Sequence, residues 1–471
     1  MQQYSAGWGP LAPTEENLDR LAFLQAEIRR WKRCQTRQMQ LLGEAYYLGR
    51  HDILQRRRTA IGENGQLQEV HNLPNNKIVD NQYAKMVDQK VNYLLGKPLT
   101  FDTQNARFQE RLKKLLGRSF QRILKNLGED SLNGGIAWLH PYYDERGSFC
   151  FKRFEPCEIL PFWRNAEHTE LLCAVRLYEE PPAQPQLKGA EHVELYTPEG
   201  VEHFVWQNDA LVPDALHPPH SYVTLGERNY NWGRVPLVAF KYNNKETPLI
   251  GRVKLLQDSL NTMISDFTNN MQEDARNTIL VIKNYDGENL GEFRKNLSAY
   301  GAVKVRTIDG VAGEVDTLTV DVNAANYRAI LDVLKKALID NARGYDAKDE
   351  RLSGNPNQMH LLSMYADMDL DATGMEIEYQ AGLEELLWFV CVHFANHAQG
   401  DFLEESVNVI FNRDMIVLQG EAIDGVMASV GLLSKETLIS QHPYVDDVQK
   451  ELARLRAETL PAPPDSGEDE V

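Results

Sequence analysis

The stretch NKIVDNQYAKMVDQKVNYLLGKPLTF, residues 76–101, predicts one amphipathic helix that ends at a glycine and is followed by a strand. Gly96 fits the position just past a helix end, and Pro98 cannot continue a helix. Six apolar side chains keep helical spacing: Ile78, Tyr83, Met86, Val87, Val91 and Leu94. Four polar residues stand among them: Lys85, Asp88, Gln89 and Lys90. The ordinary interpretation is that these four form the solvated face of the helix.

Helices are also predicted on both sides of this stretch. Thr14 can cap a helical segment over residues 14–49, with acidic residues early and basic residues late. A further helix is expected at about residues 104–127. The basic run at residues 56–58 is either solvated or in contact with a partner.

The segment from about residue 134 to 242 predicts a β-rich domain. Aromatic and polar residues alternate in GIAWLHPYYDERGSFCFKRF, residues 135–154, around the turn Glu145-Arg146-Gly147. This pattern is typical of a hairpin. Further strands are expected downstream, separated by Pro-rich stretches.

Two helices, 251–277 and 326–346, are predicted to bracket a small module at 278–325. The first helix carries an apolar stripe at steps of three or four: Val253, Leu256, Leu260, Met263, Phe267 and Met271. The module opens and closes with strand patterns. Its two ends are therefore expected to lie close together at the far end of a helix pair.

The longest helical pattern follows the loop AKDERLSGNPNQ, residues 347–358. Helical apolar spacing persists from Leu361 to Phe394, which corresponds to a helix of about 55 Å. Gly374 and Gly382 are expected bend points within it.

Two short helical segments are predicted near the end of the chain, at residues 421–433 and 434–458. Residues 1–13 and the acidic, Pro-containing residues 459–471 are expected to be disordered.

Composition limits the possible functions. The 471 residues suffice for about three domains of about 150 residues. Acidic side chains outnumber basic ones by 68 to 50, giving −18, which argues against a protein that grips DNA broadly but not against one that lets DNA pass. Five cysteines without a close pair indicate reduced thiols. The chain opens without a signal-peptide pattern and contains no apolar run long enough for a bilayer, so we expect a soluble protein.

The sequence lacks the familiar catalytic motifs. It contains no P-loop, no Gly-x-Ser-x-Gly and no His-Glu-x-x-His. His393 and His397, four residues apart, are the best metal candidates, but two ligands are too few. We therefore expect no enzyme, no metal and no cofactor. The alternative is a metal-dependent hydrolase or nuclease built around these two histidines.

The order of these patterns resembles that of portal proteins of tailed bacteriophages of the SPP1 type. Residues 76–101 resemble the family's signature helix, and residues 135–163 its wing hairpin and following turn. Residues 253–287 look like the first stem helix entering the clip, and residues 349–370 like the tunnel loop and the start of the long helix. The resemblance covers about residues 15–456 in the family's order.

The resemblance implies an α+β portal fold with named parts. These are an α/β wing at 14–250, a stem helix at 251–277, a small α/β clip at 278–325, a returning stem helix at 326–346, a tunnel loop at 347–358, a long wing helix and return strand at 359–420, and a helical crown at 421–458.

The resemblance also implies a function and a set of partners. Such proteins form a ring, usually of twelve subunits, at one vertex of the virion capsid, after assembly in the host bacterial cytoplasm. Double-stranded DNA passes through the ring without sequence-specific binding. The implied protein partners are the terminase large subunit, a head-completion or adaptor protein, the major capsid protein and the scaffold protein; no membrane is involved. Another phage head–tail connector component and a DNA-binding adaptor are the alternatives.

Three groups of site residues follow from the resemblance. The DNA-channel group in the tunnel loop is Lys348, Asp349, Arg351, Asn355, Asn357 and Gln358. The clip group, for partner docking, is Tyr285, Asp286, Glu288, Glu292 and Arg294. The subunit-interface group, between neighbouring wings, is Lys85, Asp88, Gln89 and Lys90. The loop departs from the family's Gly-Asn-x-Ser-Gly pattern, because Pro356, Asn357 and Gln358 follow Gly354-Asn355.

Overall fold

The computed structural model describes these residues: 15–61, 66–70, 73–180, 189–225, 228–274, 278–283, 314–319, 324–346, 358–413, 419–442, 444–445 and 448–459. Helices and antiparallel sheets both contribute, which confirms the predicted α+β class.

Within these ranges the α-helices are α1 Glu15–Arg33, α2 Gln35–Tyr47, α3 Gln82–Leu95, α4 Ala106–Leu115, α5 Arg118–Gly134, α6 Ile250–Asp274, α7 Ala324–Asn341, α8 Gln358–Asn396, α9 Gln419–Ala428, α10 Lys435–Ser440 and α11 Val448–Thr459.

The strands are β1 Thr59–Ile61, β2 Leu67–Glu69, β3 Thr100–Asp102, β4 Ile136–Tyr143, β5 Phe149–Phe154, β6 Ile159–Trp163, β7 Leu171–Glu179, β8 Glu191–Thr197, β9 Gly200–Gln207, β10 Ala210–Pro213, β11 Val223–Leu225, β12 Arg228–Tyr230, β13 Val238–Lys241, β14 Thr278–Lys283, β15 Glu314–Thr319 and β16 Asn408–Ile410.

The prediction of a single helix over residues 14–49 is wrong, because the helix is interrupted at Cys34. Cys34 is extended, with φ −70° and ψ 151°, and separates α1 from α2. Its Sγ accepts the N–H of Arg37 at 3.3 Å. The sulfur thus caps α2 in the way that a side-chain oxygen usually does.

The decisive stretch at 76–101 is helical only from Gln82, so the prediction of a helix over its whole first part is wrong. Asn81 caps α3, because its side-chain oxygen accepts the N–H of Ala84 at 3.0 Å. Residues 76–80, called the strap below, are not helical. The predicted end at Gly96 and the following strand β3 are confirmed.

The helix predicted at 104–127 is two helices. Gly117 has φ −82° and ψ −152°, which is extended, and it divides α4 from α5. Gly135 ends α5 with φ +81°, where a Cβ would lie 2.1 Å from the carbonyl oxygen of Glu246. Glycine at position 135 therefore satisfies both the left-handed backbone and the close approach.

The β-rich region is confirmed. Strands β6 to β10 form a five-stranded antiparallel meander, and β13, β4 and β5 form a three-stranded sheet. The predicted hairpin is the β4–β5 pair, in which Tyr143 lies opposite Phe149. Asp144 Oδ1 closes the turn by accepting the N–H groups of Arg146 and Ser148.

The largest core packs α3, α4, α5 and α8 against the three-stranded sheet. Fully buried side chains from each element meet there: Tyr83, Phe108, Leu124, Phe240 and Tyr379. A second cluster packs α1 onto the five-stranded sheet, and a third lies between the two sheets.

Helices α6 and α7 form the predicted pair around a small module. Asn270, near the end of α6, donates to the hydroxyl of Tyr327 near the start of α7 at 2.9 Å. Thr278 of β14 lies opposite Thr319 of β15. These contacts confirm that the two ends of the module lie close together.

The long helix is confirmed as α8, whose 39 residues span about 58 Å. Gly382 lies where α8 crosses β13, and a Cβ there would be 2.7 Å from the carbonyl oxygen of Ala239. This glycine therefore permits close packing of helix on sheet.

Three helices, rather than the two predicted segments, occupy the end of the described chain. The predicted segment 434–458 contains both α10 and α11. Strand β16 returns to pair with β3, so that Val409 lies opposite Phe101. No described helix is both long and apolar enough to cross a membrane.

Candidate functional site: two polar clusters around α6 and α8

A row of buried polar side chains runs along α6 at four-residue spacing, and we call it the ladder. Its members are Gln257, Asn261, Ser265 and Asn269. Residues four apart share one helix face, so the row forms a single stripe. Each member accepts one backbone N–H, those of Tyr83 (3.0 Å), Asp80 (3.0 Å), Ile78 (3.0 Å) and Asn76 (2.7 Å), respectively.

The ladder explains why the strap is not helical. Alternate backbone N–H groups of the strap find acceptors on α6, so burial leaves them satisfied. In a helix at 76–80 the N–H groups would point along that helix's own axis, so they could not all face α6. In the sequence, the signal of this contact is the four-residue spacing of polar side chains inside α6, beside the apolar stripe of that helix.

A second cluster, the junction, is centred on Asp371 of α8. Four donors contact this buried carboxylate: Lys90 Nζ at 2.7 Å, Tyr242 Oη at 2.6 Å, Arg252 Nη1 at 3.0 Å and Arg343 Nη1 at 3.4 Å. They come from α3, the chain just after β13, α6 and the turn after α7. One side chain thus connects five separate parts of the fold.

The charges of the junction are unequal, because three cations face one carboxylate. Burial raises the pKa of Asp371, but Lys90, Tyr242 and Arg252 outweigh burial and hold that pKa below its ordinary value. Burial lowers the pKa of Lys90, and Asp371 opposes that shift. Asp371 is therefore ionised at neutral pH, and its negative charge attracts all three cations of the cluster.

Helix α3 holds the residues that precede position 347. Lys90 Nζ donates to the carbonyl oxygen of Arg343 at 3.2 Å, and Gln89 Nε2 donates to that of Tyr345 at 3.1 Å. Lys85 Nζ lies 4.0 Å from a carboxylate oxygen of Asp346.

Helix α8, which begins after residue 357, is held on the same side through Tyr365 and Asp369. Tyr93 of α3 stacks on Tyr365 at 5.8 Å between ring centroids and donates to Asp369 at 2.8 Å. The rings of Tyr345 and Tyr365 also meet, at 4.7 Å. The chain on both sides of residues 347–357 is therefore fixed to α3.

An open groove of about 550 Å³ lies where these elements meet, and we call it the α3 groove. Polar α3 residues form one part of its lining: Asn81, Lys85, Asp88, Gln89 and Asn92. Tyr93, Tyr345, Tyr365 and Met368 are also part of the lining.

The structure thus brings together three of the four polar residues singled out in the decisive stretch. Lys85, Gln89 and Lys90 contact residues 343–346, whereas Asp88 accepts the hydroxyl of Tyr47 at 2.9 Å. The solvated-face alternative is wrong for Lys90, which is only 4% exposed. A role of this group at a subunit interface stays a prediction.

The other two groups of predicted site residues fall almost wholly outside the described residues. This holds for the clip group Tyr285, Asp286, Glu288, Glu292 and Arg294, and for Lys348, Asp349, Arg351, Asn355 and Asn357 of the tunnel loop. Gln358 is the first residue of α8. Their roles stay predictions.

The histidines of the alternative reading are part of an aromatic cluster. His393 Nδ1 pairs with the hydroxyl of Tyr143 at 2.9 Å, and its ring stacks on Phe149 at 4.6 Å. Burial lowers the pKa of His393 to about 4. His397 Nδ1 lies 3.0 Å from the carbonyl oxygen of His393. Among the described residues no three His, Cys, Asp or Glu side chains form a group that could hold a metal ion.

The basic run at 56–58 is bound within the chain rather than merely solvated. Arg56 pairs with Asp266 of α6 at 2.6 Å, and Arg58 donates to the carbonyl oxygen of Pro74 at 2.5 Å. Arg57, the most exposed of the three, lies 3.5 Å from Glu69.

Comparison with known proteins gives the class of this molecule. Residues 31–460 match the family described as "Phage portal protein, SPP1 Gp6-like". The portal protein of Bacillus phage SPP1 is 31% identical over 430 residues, covering 89% of this chain and 83% of that protein. The portal protein of Clostridium phage phiCD119 is 26% identical over 427 residues, covering 88% and 91%.

A chain of a solved structure titled "Neck of native GTA particle computed with C12 symmetry" is similar at a TM-score of 0.39 and 11% identity, covering 76% of this chain and 88% of that one.

These matches define a structural protein of the phage head, not an enzyme. The chain belongs to the SPP1 Gp6-like family of phage portal proteins. Portal proteins are components of the virion.

Proposed function

We propose that this chain forms a dodecameric ring at one vertex of a phage capsid and serves as the conduit for double-stranded DNA during packaging and ejection. The ring is the docking site for the terminase large subunit and later for a head-completion protein. It assembles in the host cytoplasm with scaffold and major capsid protein. Membership of the portal family supports this proposal.

The arrangement around α6 and α7 is the observation that carries the proposal. This helix pair bears the β14–β15 module at one end and approaches the junction at the other. We assign α6 and α7 to the stem, residues 278–325 to the clip, and residues 347–358 to the tunnel loop. The segments before residue 250 and α8 form the wing, and α9 to α11 the crown.

The acidic balance of the chain suits a conduit. A strongly basic bore would retain DNA, because every neutralised phosphate adds affinity through counterion release. A net charge of −18 instead repels the duplex weakly within a Debye length of about 8 Å. In the tunnel loop Lys348 and Arg351 balance Asp349 and Glu350, so the loop can contact DNA without holding it.

The junction helps to hold the chain on both sides of that loop in a fixed position. Both chain segments that border residues 347–357 are attached to α3, and Asp371 joins α3 to the stem helices. A force on the loop from moving DNA would therefore pass into the wing and the stem.

A packaging assay tests the proposal. Procapsids that contain this protein, supplied with terminase and ATP, should protect full-length DNA from nuclease, whereas procapsids without it should not. Lys348→Glu and Arg351→Glu should each lower the yield of protected DNA while ring assembly stays intact. Equal protection with and without the protein would contradict the conduit, and unchanged yield in both variants would contradict the role of the loop charges.

A further inference from the structure

We propose that the outward face of α8 in one subunit packs into the α3 groove of the neighbouring subunit. The outward face is defined by Ala366, Leu370, Gly374, Ile377 and Ala381. This inference rests on the proposed function, because it takes copies of this chain to form a ring.

The outward face is an apolar surface that the described residues of the chain leave exposed. Leu370 is 68% exposed and Ile377 is 61% exposed. Between them, a Cβ added to Gly374 would meet no atom within 4 Å. Ala366 and Ala381 extend the exposed surface in both directions. Two aliphatic side chains seven residues apart, with small residues around them, form the kind of ridge that helices use for packing.

The rest of α8 makes this exposure unusual. The opposite side of the helix is buried in the main core, through residues such as Met368, Met375 and Tyr379. A helix on the surface of a single globular chain normally turns its apolar stripe to the core and polar residues to solvent. The outward face of α8 therefore calls for a cover that the described chain does not supply.

The α3 groove has the shape and composition to receive such a ridge. Its volume of about 550 Å³ is open to solvent, and its lining combines three tyrosines with polar α3 residues such as Lys85 and Asp88. Aromatic side chains with surrounding polar groups are typical of the centre and rim of protein interfaces.

The two surfaces cannot meet within one chain. At 100° per residue, Leu370 lies about 200° around α8 from Met368, which lines the groove. The outward face and the α3 groove thus lie on opposite sides of α8. A contact between two different faces is head-to-tail, and repetition of such a contact closes into a ring when the rotation permits.

Charge argues for a protein occupant rather than DNA. The exposed charged side chains among the described part of α8 are Asp367 and Glu384, both acidic. Such a surface repels phosphate. A second copy of the chain is the occupant we infer, since each copy offers both the ridge and the groove.

Cross-linking between differently labelled copies tests the contact. One chain carries Leu370→Cys and a second carries Asn92→Cys, at an exposed groove position; the two are co-expressed and oxidised mildly. Because each chain has one engineered cysteine, a 92–370 disulfide can form only between copies. We expect covalent dimers within rings, with the 92–370 linkage found by peptide mass spectrometry. In the control, Leu216→Cys replaces Leu370→Cys. Leu216 is 84% exposed and lies outside both surfaces, so the control should give no such disulfide-linked dimers.

The other possible results contradict either the inference or the proposed function. Rings that form without the 92–370 linkage, or with a 370–370 linkage alone, overturn the inference while the proposed ring stands. If the unsubstituted chain forms no ring with its scaffold and capsid partners, the proposed function fails first and the inference fails with it.

A pair of substitutions gives an independent check. Leu370→Asp combined with Ile377→Asp should abolish rings while the circular dichroism and thermal midpoint of the monomer stay unchanged, because both side chains are exposed in the single chain. Leu216→Asp should leave rings intact. Normal rings from the doubly substituted chain would overturn the inference.

Discussion

The ladder and the junction both attach α6 to distant parts of the chain, yet they do so by different means. The ladder spreads four neutral side chains along the helix, each paired with its own backbone N–H. The junction concentrates three cations and a tyrosine on the single carboxylate of Asp371.

This difference predicts two modes of failure. A neutral hydrogen bond contributes about 0.5–1.5 kcal/mol, and distant ones contribute independently. A buried charge left without its partner costs about 3–5 kcal/mol. The ladder should therefore weaken step by step, whereas the junction should fail when its central residue is lost.

Removing the centre of the junction should have the largest effect. Asp371→Ala leaves Lys90, Arg252 and Arg343 without their shared carboxylate, so we expect a loss of about 3–5 kcal/mol in the free energy of unfolding. Urea denaturation of the purified chain measures it. Asp367→Ala, on the exposed side of the same helix, should change stability by about 0.5 kcal/mol or less. Similar losses in the two variants would remove the distinction between junction and surface.

Removing one cation of the junction should cost less. After Lys90→Met, Asp371 keeps both arginines and Tyr242, so we expect a loss of about 1–3 kcal/mol, measured by the same denaturation. Lys85→Met is the matched control on α3. Its weak, half-exposed contact with Asp346 should contribute about 0–1 kcal/mol. A larger loss for Lys90→Met than for Asp371→Ala would contradict the central role of Asp371.

Removing the Ser265 hydroxyl from the ladder should cost about as much as one buried hydrogen bond. Ser265→Ala leaves the N–H of Ile78 without its acceptor, with an expected loss of about 1 kcal/mol. Gln257 lies two ladder positions away, about 12 Å along the helix. The losses for Ser265→Ala and Gln257→Ala should therefore add within about 0.5 kcal/mol in the double variant.

The control for the ladder is Ser259→Ala, at an exposed position of α6. It should leave the denaturation midpoint unchanged. A loss in the ladder double variant far greater than the sum of its single losses would show that the ladder, like the junction, acts as one unit.

The pH dependence of stability should also distinguish the two clusters, and this is the smallest of the expected effects. The folded pKa of Asp371 is depressed, so its stabilisation is fully present above the ordinary value of 3.8 and is lost as pH falls through the folded pKa. The stability difference between the natural chain and Asp371→Asn should therefore shrink on acidification. The difference for Ser265→Ala, a neutral group, should stay constant over the same pH range. Parallel pH profiles for both variants would contradict this contrast.

The sequence predicts those elements whose pattern is local. The apolar spacing from Leu361 to Phe394 indicates α8, and the turn around Gly147 indicates the β4–β5 hairpin. In both places the periodicity and the turn residues describe structure that neighbouring residues determine together.

Elements whose conformation depends on residues far away in the chain cannot be predicted from local sequence patterns. The strap is not helical because α6 supplies acceptors from residues nearly 200 positions later, as for Asn76 and Asn269, which are 193 apart. Lys90 looks like a surface residue until Asp371, 281 positions away, is brought beside it. The break at Cys34 is equally hidden, since cysteine is seldom expected to cap a helix.

The family resemblance reaches further than the local patterns, because it concerns the order of motifs along the whole chain. It indicates the portal class, which the family match over residues 31–460 shows. It does not indicate the junction or the ladder, which become visible only when the side chains are placed in space.

The mass of the assembled protein tests the central claim most directly. Native mass spectrometry of the purified chain, with negative-stain images of the same sample, reports both the number of copies and the presence of a channel. We predict rings of about twelve copies of the 53.8 kDa chain around a central opening, formed by the chain alone or on addition of scaffold and capsid protein. A chain that stays monomeric with both partners present would contradict the claim.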